Sequence, residues 1–194
     1  MSPAMHISGL MALALVMVTA APAAAQETAP IYVNCSSHFA VMFPAEPTAK
    51  NRTYRTPSSA LVPARQFFVE QATGRFIVTV ADFSNGPIVS EQIVERAAQD
   101  LRARGEVKFQ ASDRYDPGTP GRQLDILEHD GRQLRASVYM AGHRLFIAEA
   151  SAPPGDINAL LFEQSMTLID PAGHDLNKNV EVNSNAGPRI FACQ

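Results

Sequence analysis

The side chains with reactive chemistry are few in this 194-residue chain. There are two cysteines, Cys35 and Cys193, and five histidines, His6, His38, His129, His143 and His174. A metal site needs three or four donor side chains converging on one ion. The histidines form neither H-x-x-x-H nor H-E-x-x-H; His129-Asp130 falls at a hairpin turn and His174-Asp175 in a loop. His129 and His143 flank one predicted strand, which makes them the candidates for acid–base work, since imidazole titrates near neutrality. They are weighed against solvated turn histidines. No G-x-S-x-G elbow presents a serine nucleophile, and Ser165 falls in a predicted helix, where a packing role is expected. No glycine loop is arranged to cradle phosphate. The sequence therefore assigns no catalytic residue, no metal ligands and no cofactor.

The cysteines carry a different chemistry. The start, "MSPAMHISGLMALALVMVTAAPAAAQETAP", has a charge-free apolar run from Gly9 to Ala20, then Pro22 and Ala23-Ala24-Ala25 before Gln26. A short apolar core followed by small residues reads as a secretory signal peptide over residues 1–25. It is shorter than the roughly 20 apolar residues of a membrane span. With Gln26 rather than cysteine after the cleavage position, no lipid anchor is expected. The mature chain has 194 − 25 = 169 residues, enough for one domain with a single core. An exported chain with two cysteines normally joins them. The expectation is a Cys35–Cys193 disulfide that closes a loop of nearly the whole mature chain. Such a loop is worth about 5 kcal/mol in the chain-entropy account. A redox pair would instead show C-x-x-C spacing, which is absent. The organisation follows: residues 1–25 signal peptide, 26–37 an N-terminal leader holding Cys35, 38–170 a single domain, and 171–194 a polar tail clasped by Cys193. The predicted location is periplasmic or secreted.

A formal net charge of −3 with sequence pI ≈ 5.9 is unlike a nucleic-acid binder, which carries a basic patch. No segment after the signal reads as a membrane span.

These side chains are positioned by a recognisable order of elements. "FAVMFPAEP" alternates Phe39, Val41 and Phe43 on one face, the period of a half-buried strand. "NRTYRT" reads as a short polar edge strand. Arg65–Glu70 and Arg75–Phe83 are β-rich runs, with Gly74 expected to supply a positive φ between them. "SEQIVERAAQDLRARG" places Ile93, Val94, Ala97, Ala98 and Leu101 at helical spacing, with Ser90 as the expected cap and Gly105 as the stop. Then "EVKFQASDRY" is followed by a three-stranded meander, turning at Asp130-Gly131 and Ala141-Gly142. The last helix lies in "APPGDINALLFEQSMTLI", with Asp156 as cap and Leu160, Leu161, Ser165 and Leu168 at helical spacing. In the tail, 180–182 and 190–191 are the extended candidates. The fold class predicted is α+β: an antiparallel sheet, a long helix between strands and a C-terminal helix, in an α/β/α-like sandwich.

The pieces "FAVMFPAEP", with its Phe43-Pro44 end, "RLFIAEA", the Pro/Gly break after it, and the helix carrying "FEQSM" together resemble the PsbP-like fold group. Met166 stands where relatives show an aromatic. The resemblance spans roughly residues 39–168. That group includes extrinsic subunits of photosystem oxygen-evolving complexes, a Ran-binding import factor and many small exported bacterial proteins. The resemblance implies an accessory, non-enzymatic role as partner of a larger assembly, and it carries over no functional residue, because the matched positions are structural.

Three function classes result: binding of a partner protein or cell-envelope component, hydrolysis using His129 or His143, or carriage of a small ligand. Phe67 and Phe68 are adjacent, so on a strand they point to opposite faces. Core packing is the ordinary fate of phenylalanine, and whichever of the two is exposed is the candidate for a partner patch, alongside His129 and His143.

Overall fold

The computed structural model describes residues 30–86, 88–177 and 189–193. Its elements run β1 (Ile31–Asn34), β2 (Phe39–Met42), β3 (Thr48–Arg55), β4 (Leu61–Gln71), β5 (Gly74–Asp82), α1 (Ser90–Arg102), β6 (Gly105–Asp116), β7 (Thr119–Glu128), β8 (Gln133–Ala141), β9 (Arg144–Ala152), α2 (Ile157–Gln164) and β10 (Thr167–Leu168). The fold is α+β. A seven-stranded antiparallel sheet has the order β3-β4-β5-β9-β8-β7-β6, and a three-stranded one has the order β1-β2-β10. The meander appears as predicted. Gly131 has φ +84° and closes a three-residue loop, while Gly142, at φ +56°, opens the two-residue turn between β8 and β9.

The large sheet is buried on both faces. Along β9, Leu145 and Ile147 point to one core, and Phe146 and Ala148 to the other. This explains why "RLFIAEAS" is apolar without alternation. One face is covered by α1, whose Ile93, Val94, Ala97, Ala98 and Leu101 pack on Leu124, Ile126, Leu134, Ala136 and Val138. The other face is covered by the small sheet and α2. There Phe39, Phe43, Phe67, Phe76, Phe146 and Phe162 form an aromatic core. Phe39–Phe67 and Phe43–Phe162 ring centroids lie 5.0 Å apart, within the favoured range for aromatic pairs.

Several expectations are corrected. Both helices are short: α1 has 13 residues and α2 eight, so the helix between strands spans only about 20 Å. The second cover is part sheet, so the sandwich is not helix on both sides. Within the leader, Ile31–Asn34 pair with Phe39–Met42 as β1, a strand the sequence reading did not include. Gly74 has no positive φ. Ala72 and Thr73 make the turn, and a Cβ at Gly74 would come within 2.9 Å of the Phe76 ring. Ser90 is the first helical residue rather than the cap; Val89 holds that position without a side-chain bond. Gly105 opens β6, where a Cβ would lie 2.1 Å from the Leu127 carbonyl oxygen. Asp156 does cap α2, accepting from the amides of Asn158 and Ala159. The buried face of α2, however, is Ala159, Phe162 and Glu163, while Leu161 is 42% exposed and Leu168 belongs to β10.

Cys35 and Cys193 are joined, with Cα atoms 5.7 Å apart. The bridge draws residues 189–193 onto the outer face of the small sheet. Asp175 N donates to Arg189 O and Phe191 N to Gly173 O, and the Phe191 ring packs with Ala40 and Ile169. Ile190 makes an isolated bridge with His174. The expected extended stretch at 180–182 and the signal peptide at 1–25 lie outside the described residues. Among the described residues, no helix is long and apolar enough to cross a membrane.

Candidate functional site

At the end of β6, where the small sheet, α2 and the clasped tail meet, lies a cleft of about 490 Å³. Asp113, Arg114 and Tyr115 of β6 form one wall, with Tyr139 of β8 behind them. Leu161, Gln164, Ser165 and Met166 come from the last turn of α2 and the residues after it. Ile31, Met42 and Phe191 supply apolar surface, and Asp175, Asn177 and Arg189 supply the tail side. Sheet register sets the polar wall: β6 and β8 both flank β7, and Gly121 of β7 lies opposite both Asp113 and Tyr139. The Tyr139 ring lies over Gly121, where a Cβ would come within 2.4 Å of it.

Two phenol–carboxylate pairs define the chemistry. The Tyr139 hydroxyl donates to Asp113 Oδ2 at 2.6 Å, and the Tyr115 hydroxyl donates to Asp175 Oδ1 at 2.6 Å. Tyr115 Oη also accepts from Leu168 N at 3.1 Å, tying β6 to β10. The two rings meet edge to face, with centroids 5.5 Å apart. Burial pushes both phenols above their ordinary range, and the hydrogen bonds to Asp175 and Asp113 push them further. The Asp175 side chain is 3% exposed and faces Arg189 at 3.5 Å. These phenols stay protonated donors, committed to carboxylates.

Ser165 is equally committed: its hydroxyl donates to Phe162 O at 2.9 Å and accepts from Met42 N at 2.8 Å, fastening α2 to β2. Next to the cleft, Glu163 is buried beneath α2 and accepts from Gln123 Nε2 at 3.1 Å. Burial raises its pKa, an effect opposed by Arg135 and by the Gln123 bond.

The residues singled out from the sequence are dispersed. His129 and His143 are both exposed, at opposite ends of β8, a nine-residue strand spanning roughly 30 Å. Neither lines the cleft. Phe67 is fully buried in the aromatic core and is therefore not a surface residue. Phe68 is half-buried, with the Lys50 ammonium 4.0 Å from its ring centroid. Of these, only the cysteines bear on the cleft, by holding Arg189 and Phe191 against it; Ser165, weighed as a nucleophile and expected to pack, does line it. Sequence reasoning missed Tyr115, Asp113 and Asp175 because each partner comes from a different element. The available signal was the period-two recurrence of Asp113 and Tyr115 at the end of a strand. Among the described residues, no group of three or more His, Cys, Asp or Glu side chains is placed to hold a metal ion.

Compared with known proteins, the chain matches no family profile and no curated sequence.

Proposed function

We propose that this protein is a non-enzymatic binding domain of the periplasm or extracellular space, which receives a partner protein or envelope component in the cleft beside Tyr115 and Tyr139. The observation that carries this reading is the state of the polar groups there. Each phenol is bound to its own carboxylate, and Ser165 is bound to backbone on both sides. Catalysis needs a nucleophile within reach of a base, whereas this cleft offers a fixed shape and an apolar rim. The hydrolase reading, which uses His129 or His143, is disfavoured because neither histidine lines this cleft. The Cys35–Cys193 bridge suits an oxidising compartment, in keeping with the signal-peptide reading. A resemblance to the PsbP-like group adds the accessory role.

Carriage of a small ligand is the second reading, favoured by the cleft volume, which lies in the range of ligand pockets. One experiment separates the two. The oxidised protein and its Leu161→Asp variant, altered only at the exposed cleft rim, are each used to capture partners from the source cell envelope and then analysed for protein and small molecules. A protein retained by the wild type and lost with Leu161→Asp supports the first reading. A co-purifying small molecule lost with the variant supports the second. Equal capture by both forms removes the cleft from either.

A further inference from the structure

The two edges of the large sheet are finished differently. β6, the 12-residue edge on one side, is interrupted by register shifts at Val107/Phe109 and Arg114/Asp116. Its Lys108 pairs with Glu106, and its Arg114 pairs with Glu91. Bulges and neutralised side chains blunt an edge against further strands. β3, the opposite edge, pairs residue for residue with β4 from Thr48 to Arg55 without a shift. It contains neither proline nor carboxylate, and among the described residues no strand neighbours its outer backbone groups.

The two edges differ in charge pairing as well, although Arg75, Arg132 and Arg144 elsewhere also have no carboxylate within 4.0 Å among the described residues. The arginines of α1, β7 and β8 (Arg96, Arg102, Arg122 and Arg135) all contact carboxylates. Among the described residues, no carboxylate lies within 4.0 Å of the charged groups of Lys50, Arg52, Arg55 or Arg65, and the three arginines are exposed. The β3–β4 hairpin, residues 48–71, has these four cations against Glu70 alone, so 4 − 1 = +3, on a chain whose formal net charge is −3.

We propose that β3 is a docking edge for an acidic, extended segment of a partner protein, which adds as an eighth strand to the sheet. Backbone groups supply the pairing and alternate side chains the selectivity, as in other strand-addition complexes. Lys50 and Arg52 share one face of the strand and Arg55 lies on the other, so carboxylates recurring at alternate residues along one face of the incoming strand find Lys50 and Arg52 across it. The same cations set a second copy of the chain against itself, since antiparallel self-pairing would bring like charges together. The proposal does not depend on the cleft, which opens elsewhere on the molecule.

The test uses the oxidised full chain and a fluorescein-labelled alternating Glu–Val octapeptide, followed by anisotropy. Binding is expected to weaken at least tenfold for the Arg52→Glu variant, for the same peptide N-methylated at alternate residues, and for a Lys–Val octapeptide. The Lys108→Glu variant on the opposite edge, away from the cleft, should bind within twofold of wild type. Added salt should weaken binding. Because Arg52 is exposed, its substitution leaves the core intact, and the N-methylated peptide needs no variant at all. The proposal is overturned by no binding of the acidic peptide at millimolar concentration. It is also overturned by equal binding of the N-methylated peptide together with vesicles of 30% phosphatidylglycerol, which marks a diffuse anion-attracting surface. A β3-to-β3 dimer at millimolar protein overturns it as well.

Discussion

The two faces of the large sheet are covered in opposite ways. On one, α1 is a single local segment, inserted between β5 and β6 and built from aliphatic residues. On the other, the cover is assembled from β1 and β2 near the start of the described chain, α2 and β10 near residue 160, and the tail at 189–193. A local helix brings its own backbone bonds and needs little loop closure, whereas distant pieces must each offset closure entropy before they contribute. The aromatic residues and the disulfide are found on the side that carries this greater entropic cost. Large rings bury more apolar area per ordered residue, and the bridge restricts the unfolded chain. The cleft is on this side too, so the costlier half of the fold is the one that positions the candidate site.

The largest test of this contrast is truncation of each core. Phe67 is fully buried and contacts Phe39 and Tyr32 across the two sheets. Phe67→Ala should cost about 3–5 kcal/mol. Leu101→Ala, at the end of α1, should cost about 2 kcal/mol, the low end for such a change. Urea unfolding midpoints measure both. Equal losses would break the contrast. Removing the bridge should cost about 3 kcal/mol for Cys35→Ala with Cys193→Ala, between the two core truncations and below the chain-entropy ceiling of about 5 kcal/mol. The loss should be unevenly distributed. By native-state hydrogen exchange, the amides of Ile169, Asp175 and Phe191 should lose protection while those of α1 keep theirs. Uniform loss on both faces would mean that the bridge acts on the whole chain and not on this cover.

The same division explains what the sequence revealed. α1 was readable because five apolar residues repeat within one turn-spaced segment, and the β7–β9 meander because Gly131 and Gly142 mark its turns. The cysteine pair was readable from number and compartment. Of the small sheet only β2 was, from the alternation of Phe39 and Val41; β1 and β10 have four and two residues, too short for a periodic signal, and β10 finds its partner across more than a hundred residues. Phe67 and Phe68 show the limit at one position. Period two places them on opposite faces, but only the non-local cover decides which face is closed. The cleft was illegible for the same reason, since Tyr115 meets Asp175 at a separation of 60 residues and Tyr139 meets Asp113 at 26. The helix ends erred on a finer scale. Ser90 has the right chemistry for a cap, yet the chain enters α1 one residue earlier.

The smallest predicted effect concerns Glu163, the buried carboxyl of the non-local cover. Its pKa is raised, by burial above all, while in the unfolded chain it titrates near the usual 4.5. The folded state therefore holds its proton to higher pH than the unfolded state does. The resulting stabilisation is complete below pH 4.5 and is lost as pH rises through the folded-state value. Glu163→Gln removes the titration and keeps an oxygen to accept from Gln123. The variant and the wild type should melt together near pH 4, and the variant should melt a little higher at pH 8. α1 offers the matching control in Glu95, whose carboxyl is lowered by its bond to Arg102. The contribution of Glu95 runs the other way, present above the ordinary value and lost as pH falls. Glu95→Gln should therefore lower the melting temperature at pH 8, only slightly because the pair is partly exposed. Melting curves at the two pH values decide the matter. Opposite signs for the two substitutions at pH 8 sharpen the distinction between the faces, and a shared sign would show that the buried carboxyl is charged and well paired.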